Sequence, residues 1–405
     1  MMRKKVYAAV IGGGAAGLMC ALRAAERHPD KDIVILEKAD RVGKKLLVTG
    51  NGRCNLSHVG ANAKSYHGDG CEDLINILFE KYSPDAVIAY FNRLGLMTYS
   101  DNEGRVYPIS RQASSVLDVL RMRLKGCGAE ELCGVEIREI RKVKGGYEIR
   151  TDSGIISAER LVIAVGGKVD YAGRESGAGI VKTLSLSSVK CTPSLSPVKV
   201  DSEITRSLKG IRATAEVRLI HGGEIVKAER GEVQFTENAL SGICIFNLSR
   251  FANQNTGCEI GISLLPDLSR EEIREEIQRR IELNQDGNLS DIFVGLFHKS
   301  IGNALMKSAG IKPSTACSNI SDKELNALAD TIADWRFKVV PRHDFQNAQV
   351  SAGGVKLSEI DIRTFETKKH RGLYIIGEAL DVDGDCGGYN LQFAFASGMC
   401  AGDSL

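Results

Sequence analysis

The chain has 405 residues, 43% hydrophobic and 26% charged, which is enough for two or three cores of ordinary size. Its 53 basic and 51 acidic residues leave a formal net charge of +2, spread along the chain, so charge gives no reason to expect a nucleic-acid or membrane partner. Eleven irregularly spaced cysteines without a C-x-x-C pair exclude a dithiol relay. With no apolar run of about 18 residues and no secretory leader in "MMRKKVYAAVIGGG", they lead us to expect a cytoplasmic protein with reduced thiols.

The first element is "VYAAVI", a chargeless buried strand starting at Val6. "GGGAAG" follows, then an apolar helix "LMCALRAAERH" broken by Pro29-Asp30, then a second buried strand "DIVILE" ending at Glu37. This is a βαβ unit with Gly12, Gly14 and Gly17 in G-x-G-x-x-G register and an acid about 20 residues further on. Gly12 makes the tight turn, Gly14 admits a pyrophosphate to the backbone, and Gly17 lets helix and strand close up. The helix N-terminus offers N–H groups and a positive dipole end to phosphate. Glu37 is placed to accept from a ribose diol and to repel a 2′-phosphate.

The next stretch, "KADRVGKKLLVTGNGRCNLSH", is long, basic and glycine-punctuated, with little helix or strand period. Arg41, Lys44, Lys45 and Arg53 are positioned to neutralise a diphosphate, and Asn55 to hydrogen-bond a heterocycle. Cys54 reads as a small buried thiol, with a covalent-attachment role as the alternative. "SVLDVLRMRL" is an amphipathic helix, and Gly145-Gly146 closes a hairpin. "LVIAVGG" is another buried strand, whose end at Gly166 returns it beside the cofactor. From about residue 196 the texture becomes short alternating strands with a Gly222-Gly223 turn, read as a separate antiparallel sheet or barrel. Helices follow, with capping boxes "SREE" and "SDKE". After Pro341 the first texture returns, with a strand "LYIIGE" running into Gly377 and Glu378 and then "CGGYNLQFAF".

The expected fold is α/β: a split Rossmann-like domain over 1–195 and 342–405, interrupted by a substrate or cap domain over 196–341, β-rich to 265 and helical from 266. A last strand ending in Gly-Glu, followed by a glycine-opened helix, is an arrangement suited to FAD. The ADP half lies on the first βα turn, Glu378 after the last strand holds the middle, and the late helix aims its positive end at the flavin pyrimidine. Tyr389, Asn390, Leu391 and Gln392 are the helix start that would meet it.

The stretches "VIGGGAAGL", "GKKLLVTGNGRCNLSH", "GRVYPISRQASSVLDVL", "FTENALSGICIFNLSR", "AQVSAGGVKLSEID" and "GLYIIGEALDVDGDCGGYNLQFAFASG" resemble a widespread bacterial family of NAD(P)/FAD-dependent oxidoreductases. That is the aminoacetone oxidase family of FAD-binding enzymes, which includes 3-dehydro-bile-acid reductase-type flavoproteins. The resemblance implies FAD contacts at Gly12, Gly14, Ala15, Gly17, Glu37, Lys38, Lys45, Arg53, Cys54, Asn55, Glu378, Asp383, Asn390, Leu391 and Gln392, with Val135 touching the adenine through its backbone. The chain departs from the family at Glu237-Asn238-Ala239 and "LSGI", and in "GGKVDYAGRESGAGI", which bears on the substrate and leaves FAD binding untouched.

The expected activity is hydride transfer through flavin N5 to or from a small organic substrate, an enone or steroid-like compound. No second G-x-G-x-x-G is present, so NAD(P)H would visit as a transient co-substrate, or oxygen would reoxidise the flavin. Arg53, Arg111 and Tyr389 are the candidates for catalysis, beside Tyr107, and no metal is expected. A flavin-dependent tRNA-modifying protein and a flavin sensor stay open as alternatives.

Overall fold

The computed structural model describes residues 2–169 and 183–405, and the glycine-rich "GRESGAG" and most of "GGKVDYAGRESGAGI" lie outside them. Contacts divide the chain into two units, Met1–Cys191 with Val350–Leu405, and Thr192–Gln349. The exit and return therefore differ from the 195/196 and 341/342 boundaries read from the sequence. Local hydrogen bonds explain this: Arg342 N–H donates to Asn253 Oδ1 at 3.1 Å and Gln349 N–H to Leu195 O at 3.2 Å, so residues 342–349 stay with the insert.

The first unit is built on a seven-stranded sheet. Its order is Glu130–Cys133, Ile33–Glu37, Met2–Ile11, Gly154–Ile163, Gly146–Thr151, Ile137–Val143, with Leu373–Ile375 also pairing to Gly154–Ile163. Met2–Ile11 pairs in parallel with Ile33–Glu37 and with Gly154–Ile163, as a βαβ crossover requires. The long strand Gly154–Ile163 serves two partners in turn. Its first half pairs antiparallel with Gly146–Thr151 and its last three residues pair in parallel with Leu373–Ile375. Where the central strands are buried on both faces they are apolar: Ala8, Ala9, Val10, Val34, Ile35, Leu161, Val162 and Ile163 are inaccessible to solvent.

The first helix (Ala15–Arg27) packs against the C-terminal helix (Tyr389–Ser404) backbone to backbone. Two glycines four apart allow it. A Cβ at Gly398 would fall 2.5 Å from Ala16 O, and one at Gly402 would fall 2.6 Å from Cys20 O. The two contacts advance together, so the helices run in the same direction. Tyr389 lies nine residues before Gly398, so at 1.5 Å per residue the C-terminal helix begins roughly 12 Å beyond the N-terminus of the first.

The inserted unit holds a closed six-stranded barrel, in the order Val198–Asp201, Ala239–Ser241, Glu224–Phe235, Arg212–His221, Cys258–Ser263, Trp335–Val339. Gly222 and Gly223, both at positive φ, make the two-residue hairpin between the long strands. Phe235, Trp335 and Phe337 cluster inside, with Leu and Ile side chains of four helices packed around them. The two capping boxes form as expected, at Ser269 with Glu272 and Ser321 with Glu324. Among the described residues no helix is long and apolar enough to cross a membrane.

Candidate flavin site

The first turn is shaped by contact distances. Gly12 has φ of +105°, and a Cβ there would strike Ala164 O at 2.3 Å. A Cβ on Gly17 would meet Gly12 O at 2.0 Å, so only glycine lets the helix start this close to the strand. Gly14 is different. It caps the helix, and a Cβ there would meet no atom of the described residues within 4 Å. Two of the three glycines serve packing and one serves approach, as the dinucleotide turn demands. Ala15 is the first helical residue.

Glu37 closes the second strand. Its carboxylate accepts from Gly13 N–H at 2.7 Å and Ala39 N–H at 2.8 Å, which fixes its orientation at the mouth of the turn. Val135 N–H donates to the Glu37 backbone carbonyl at 3.0 Å, which places its backbone beside the end of that strand. Lys38 is mostly exposed and its ammonium lies 3.8 Å from Glu136.

The basic loop folds as two short pieces, Lys44–Val48 and a 3₁₀ turn over Thr49–Gly52. Gly50, Asn51, Gly52 and Cys54 all have positive φ. Left-handed backbone at a non-glycine residue stores about 1–3 kcal/mol and clusters at functional sites. Lys45 Nζ reaches Glu378 Oε2 at 2.7 Å, and the other Glu378 oxygen accepts from Ser351 N–H at 2.9 Å and Ser351 Oγ at 3.1 Å. The structure thus joins two expected residues and adds Ser351, which lies in the stretch "AQVSAGGVKLSEID" but has no role assigned from the sequence. Gly167 packs against the same pair: a Cβ on it would fall 1.9 Å from Ser351 Oγ. Gly166 has φ of +73° and faces open space. Gly377, at φ +61°, donates its N–H to Ser397 Oγ at 3.1 Å and sits against Ala16 at the first helix.

Cys54 is fully buried, and burial pushes its thiol up to about 12, so it is a neutral packing group at physiological pH. Asn55 is the informative neighbour. Its Oδ1 is buried without a hydrogen-bond partner among the described residues and lies where a side chain on Gly388 would be, 2.6 Å from that Cβ position. Gly388, with φ of +103°, caps the C-terminal helix. An orphaned acceptor beside a helix N-terminus fits the polar edge of a bound heterocycle.

Around this point the last segment is clamped. Asp383–Gly384 pairs antiparallel with Tyr66–His67, and Asp383 is buried. His67 Nε2 lies 2.9 Å from Asp385 Oδ1, a pair the sequence did not reveal because 318 residues separate its members. Asn390 spends its amide on the loop: Oδ1 accepts from Gly384 N–H at 2.9 Å and Nδ2 donates to Gly384 O at 2.8 Å. Gln392 is a brace rather than a contact. It has no exposed surface, Oε1 accepts from Ser57 Oγ at 2.7 Å, Nε2 donates to Tyr82 O at 3.2 Å, and its N–H bonds Gly388 O. Leu391 is half-buried in the first turn of the helix.

Of the three catalytic candidates, Tyr389 sits at the helix start. Its ring stacks on His58 with centroids 4.6 Å apart, and its carbonyl accepts from Tyr66 OH at 3.0 Å. Burial holds the His58 imidazole below its usual value, so it is neutral at pH 7. Arg53 and Arg111 are exposed and end a ladder: Arg53 lies over Tyr107, Tyr107 stacks on Tyr99, and Arg111 lies over Tyr99.

Turn, fixed carboxylate and glycine-capped late helix define an FAD-dependent oxidoreductase of Rossmann type. A model of the HI0933-like protein Rossmann domain matches residues 6–404, and the chain belongs to that family. It is 32% identical over 399 residues to the 3-dehydro-bile acid delta(4,6)-reductase of Clostridium scindens, covering 97% of each chain. It is 26% identical over 406 residues to the ribosomal RNA dihydrouridine synthase of Escherichia coli, covering 98% of each. In structure it resembles a 3-ketosteroid delta1-dehydrogenase from Sterolibacterium denitrificans, with a TM-score of 0.50 at 13% identity over 99% of each chain, a likeness of fold.

Proposed function

We propose that the protein reduces a carbon–carbon double bond conjugated to a carbonyl in a small organic substrate, with NAD(P)H as the source of hydride. The observation that carries this is the helix geometry. Two helices point the same way with starts roughly 12 Å apart along the axis, a span on the scale of a ribityl chain and flavin ring. The first start suits the pyrophosphate and the second suits the flavin pyrimidine. Glu37 would take the adenosine ribose, Lys45 with Glu378 the middle of the cofactor, and Asn55 Oδ1 would accept from the ring edge. Bound FAD supplies hydride chemistry at N5. The start of the C-terminal helix favours negative charge placed before it, by up to about 1–2 kcal/mol.

The substrate then gains a hydride at the β-carbon and a proton at the α-carbon, while NAD(P)H is oxidised to NAD(P)⁺. We assign the proton delivery to Tyr389, held by its stack on His58. The names of the two relatives support this acceptor. A 3-dehydro bile acid with delta(4,6) unsaturation is a conjugated ketone, and dihydrouridine is uridine saturated at the double bond conjugated to its carbonyl. Charge favours the small substrate. In Thr192–Gln349 acids slightly outnumber bases, and Arg218, Arg230, Arg270, Arg274, Arg279, Arg280 and Arg336 are all held in ion pairs. A second reading, uridine in RNA, rests on the full-length similarity to the Escherichia coli enzyme.

The test is anaerobic absorption spectroscopy. Flavin bands should bleach with NADH or NADPH and return on adding a 4,6-dien-3-one steroid, with a product two hydrogens heavier. Bands that never bleach exclude the nicotinamide donor. Bands that return only with uridine-containing RNA establish the second reading in place of the first.

A further inference from the structure

Ser351 is the one polar side chain of the strand Val350–Val355, by which the chain re-enters the first unit. Only 1% of it is exposed. A hydroxyl taken out of water must be bonded, and its neighbours here fix the direction of each bond. Lys168 N–H donates to Ser351 Oγ at 2.9 Å. The hydroxyl proton is therefore left for the other neighbour, Glu378 Oε1, at 3.1 Å. Ser351 N–H donates to that same oxygen at 2.9 Å. The turn closes tightly over the pair, because a Cβ on Gly167 would fall 1.9 Å from Ser351 Oγ and 2.5 Å from Glu378 Oε1.

A carboxylate offers about four acceptor sites. Ser351 fills both on Oε1, and Lys45 Nζ, at 2.7 Å, fills one on Oε2. Among the described residues nothing else donates to Glu378, so an acceptor site on Oε2 remains. An anion repels phosphate there and attracts a neutral donor. The ribityl chain is the part of FAD that offers such donors, through its hydroxyls. Lys45 gives Glu378 one of the three N–H groups of an ammonium and keeps the rest for the diphosphate.

A glutamate side chain has several freely turning bonds, and Lys45 alone would hold this one by a single oxygen. Two bonds from Ser351 to the opposite oxygen remove that freedom. Granted the placement of FAD proposed above, we infer that Ser351 is a positioning residue, which holds Glu378 so that Oε2 accepts from a ribityl hydroxyl. Ser351 acts through the carboxylate.

The test is a double-mutant cycle on the FAD-free protein, with Ser351→Ala, Glu378→Gln and both together. Each is titrated with FAD, followed by flavin fluorescence, and by calorimetry with ADP, which has the diphosphate but no ribityl chain. Glu378→Gln should weaken FAD about ten- to a hundredfold, and Ser351→Ala about five- to tenfold. Because one residue acts through the other, adding Ser351→Ala to Glu378→Gln should cost no more than about a further twofold. ADP should bind all three variants within about twofold of wild type, which a damaged turn or fold would not allow.

Wild-type FAD affinity in Ser351→Ala overturns the role of Ser351. So do losses that multiply in the double variant, or an ADP loss as large as the FAD loss, since either marks a merely structural serine. Wild-type FAD affinity in Glu378→Gln overturns the ribityl assignment and this role with it. A wild-type protein that binds no FAD overturns the functional reading itself.

Discussion

Alanine at Gly14 and alanine at Gly17 should fail in opposite ways. At Gly17 the new Cβ would lie 2.0 Å from Gly12 O, more than an ångström inside an ordinary contact, and backbone on both sides must give. Overpacking of this kind costs about 1–3 kcal/mol, and a rigid turn places it at the upper end. For a domain of this size each kcal/mol lowers the melting temperature by about 2–4 °C, so a fall of roughly 4–12 °C is expected in the FAD-free protein. At Gly14 the backbone is extended, with φ of −81° and ψ of −172°, and no atom of the described residues lies within 4 Å of the Cβ. The fold should therefore tolerate alanine, with a melting temperature within about 2 °C of wild type. The methyl group instead occupies the space a pyrophosphate needs, so FAD should bind roughly ten- to a hundredfold more weakly. Differential scanning calorimetry of the apo-proteins and quenching of FAD fluorescence separate the two quantities. Wild-type FAD affinity in Gly14→Ala would refute the placement of the pyrophosphate.

Gln392→Leu strands the Ser57 hydroxyl and the Tyr82 carbonyl in a buried site, and should cost about 2–4 kcal/mol in urea unfolding while far-ultraviolet circular dichroism stays native. Tyr389→Phe should lower the rate of flavin reoxidation by enone at least tenfold and leave reduction by nicotinamide within twofold, which rapid-mixing spectroscopy resolves. Cys54, its thiol pushed up to about 12 by burial, should escape iodoacetamide in the native protein between pH 7 and 9, read by peptide mass spectrometry, and Cys54→Ser should keep its FAD. Asp403 gives the pH signature. Burial raises its carboxyl, but Tyr82, Arg27 and Arg23 outweigh that and hold it below the ordinary value of 3.8. A lowered folded value means stability that is present above the unfolded value and lost as pH falls through the folded one. The stability gap between wild type and Asp403→Asn should thus hold from pH 7 to about 5 and close below about 4 in urea titrations.

The parts of this site carried by local geometry could be read from the chain. Strand, glycine turn, helix and Glu37 are neighbours in sequence, and each has a residue type that only a few conformations permit. The capping boxes at Ser269 and Ser321 were legible for the same reason, as was the hairpin after Val143, although its two-residue turn is Lys144-Gly145 and Gly146 already pairs with Val143. What could not be read is nonlocal. The barrel closes through Val198–Asp201 on Trp335–Val339, strands whose patterns contain nothing that names each other. Helices Cys71–Tyr82 and Pro84–Leu94 lie between two stronger motifs and contain no glycine, although the second has a serine cap and a proline at its first turn. Gln392 was read as a cofactor contact because it opens a helix at the right place, but amide side chains serve a buried brace equally well, and only Ser57 and Tyr82 decide which.

The C-terminal helix shows why the flavin end needed the structure. Its glycine cap was plain in "CGGYNLQFAF", and so was the four-residue spacing of Gly398 and Gly402, but spacing alone does not say what a small-residue face meets. Once Gly398 is seen against Ala16 and Gly402 against Cys20, direction and register follow together. Parallel packing puts both positive helix ends on the same side, and the register sets their separation. A single-turn slip of one helix past the other would move the Tyr389 end by about 5.4 Å, enough to take it off a flavin whose diphosphate stays at Gly14. On the proposed placement of FAD the two glycines in the helix contact would therefore set the length of cofactor the cradle accepts, and Gly398→Ala should loosen FAD without touching any atom of it.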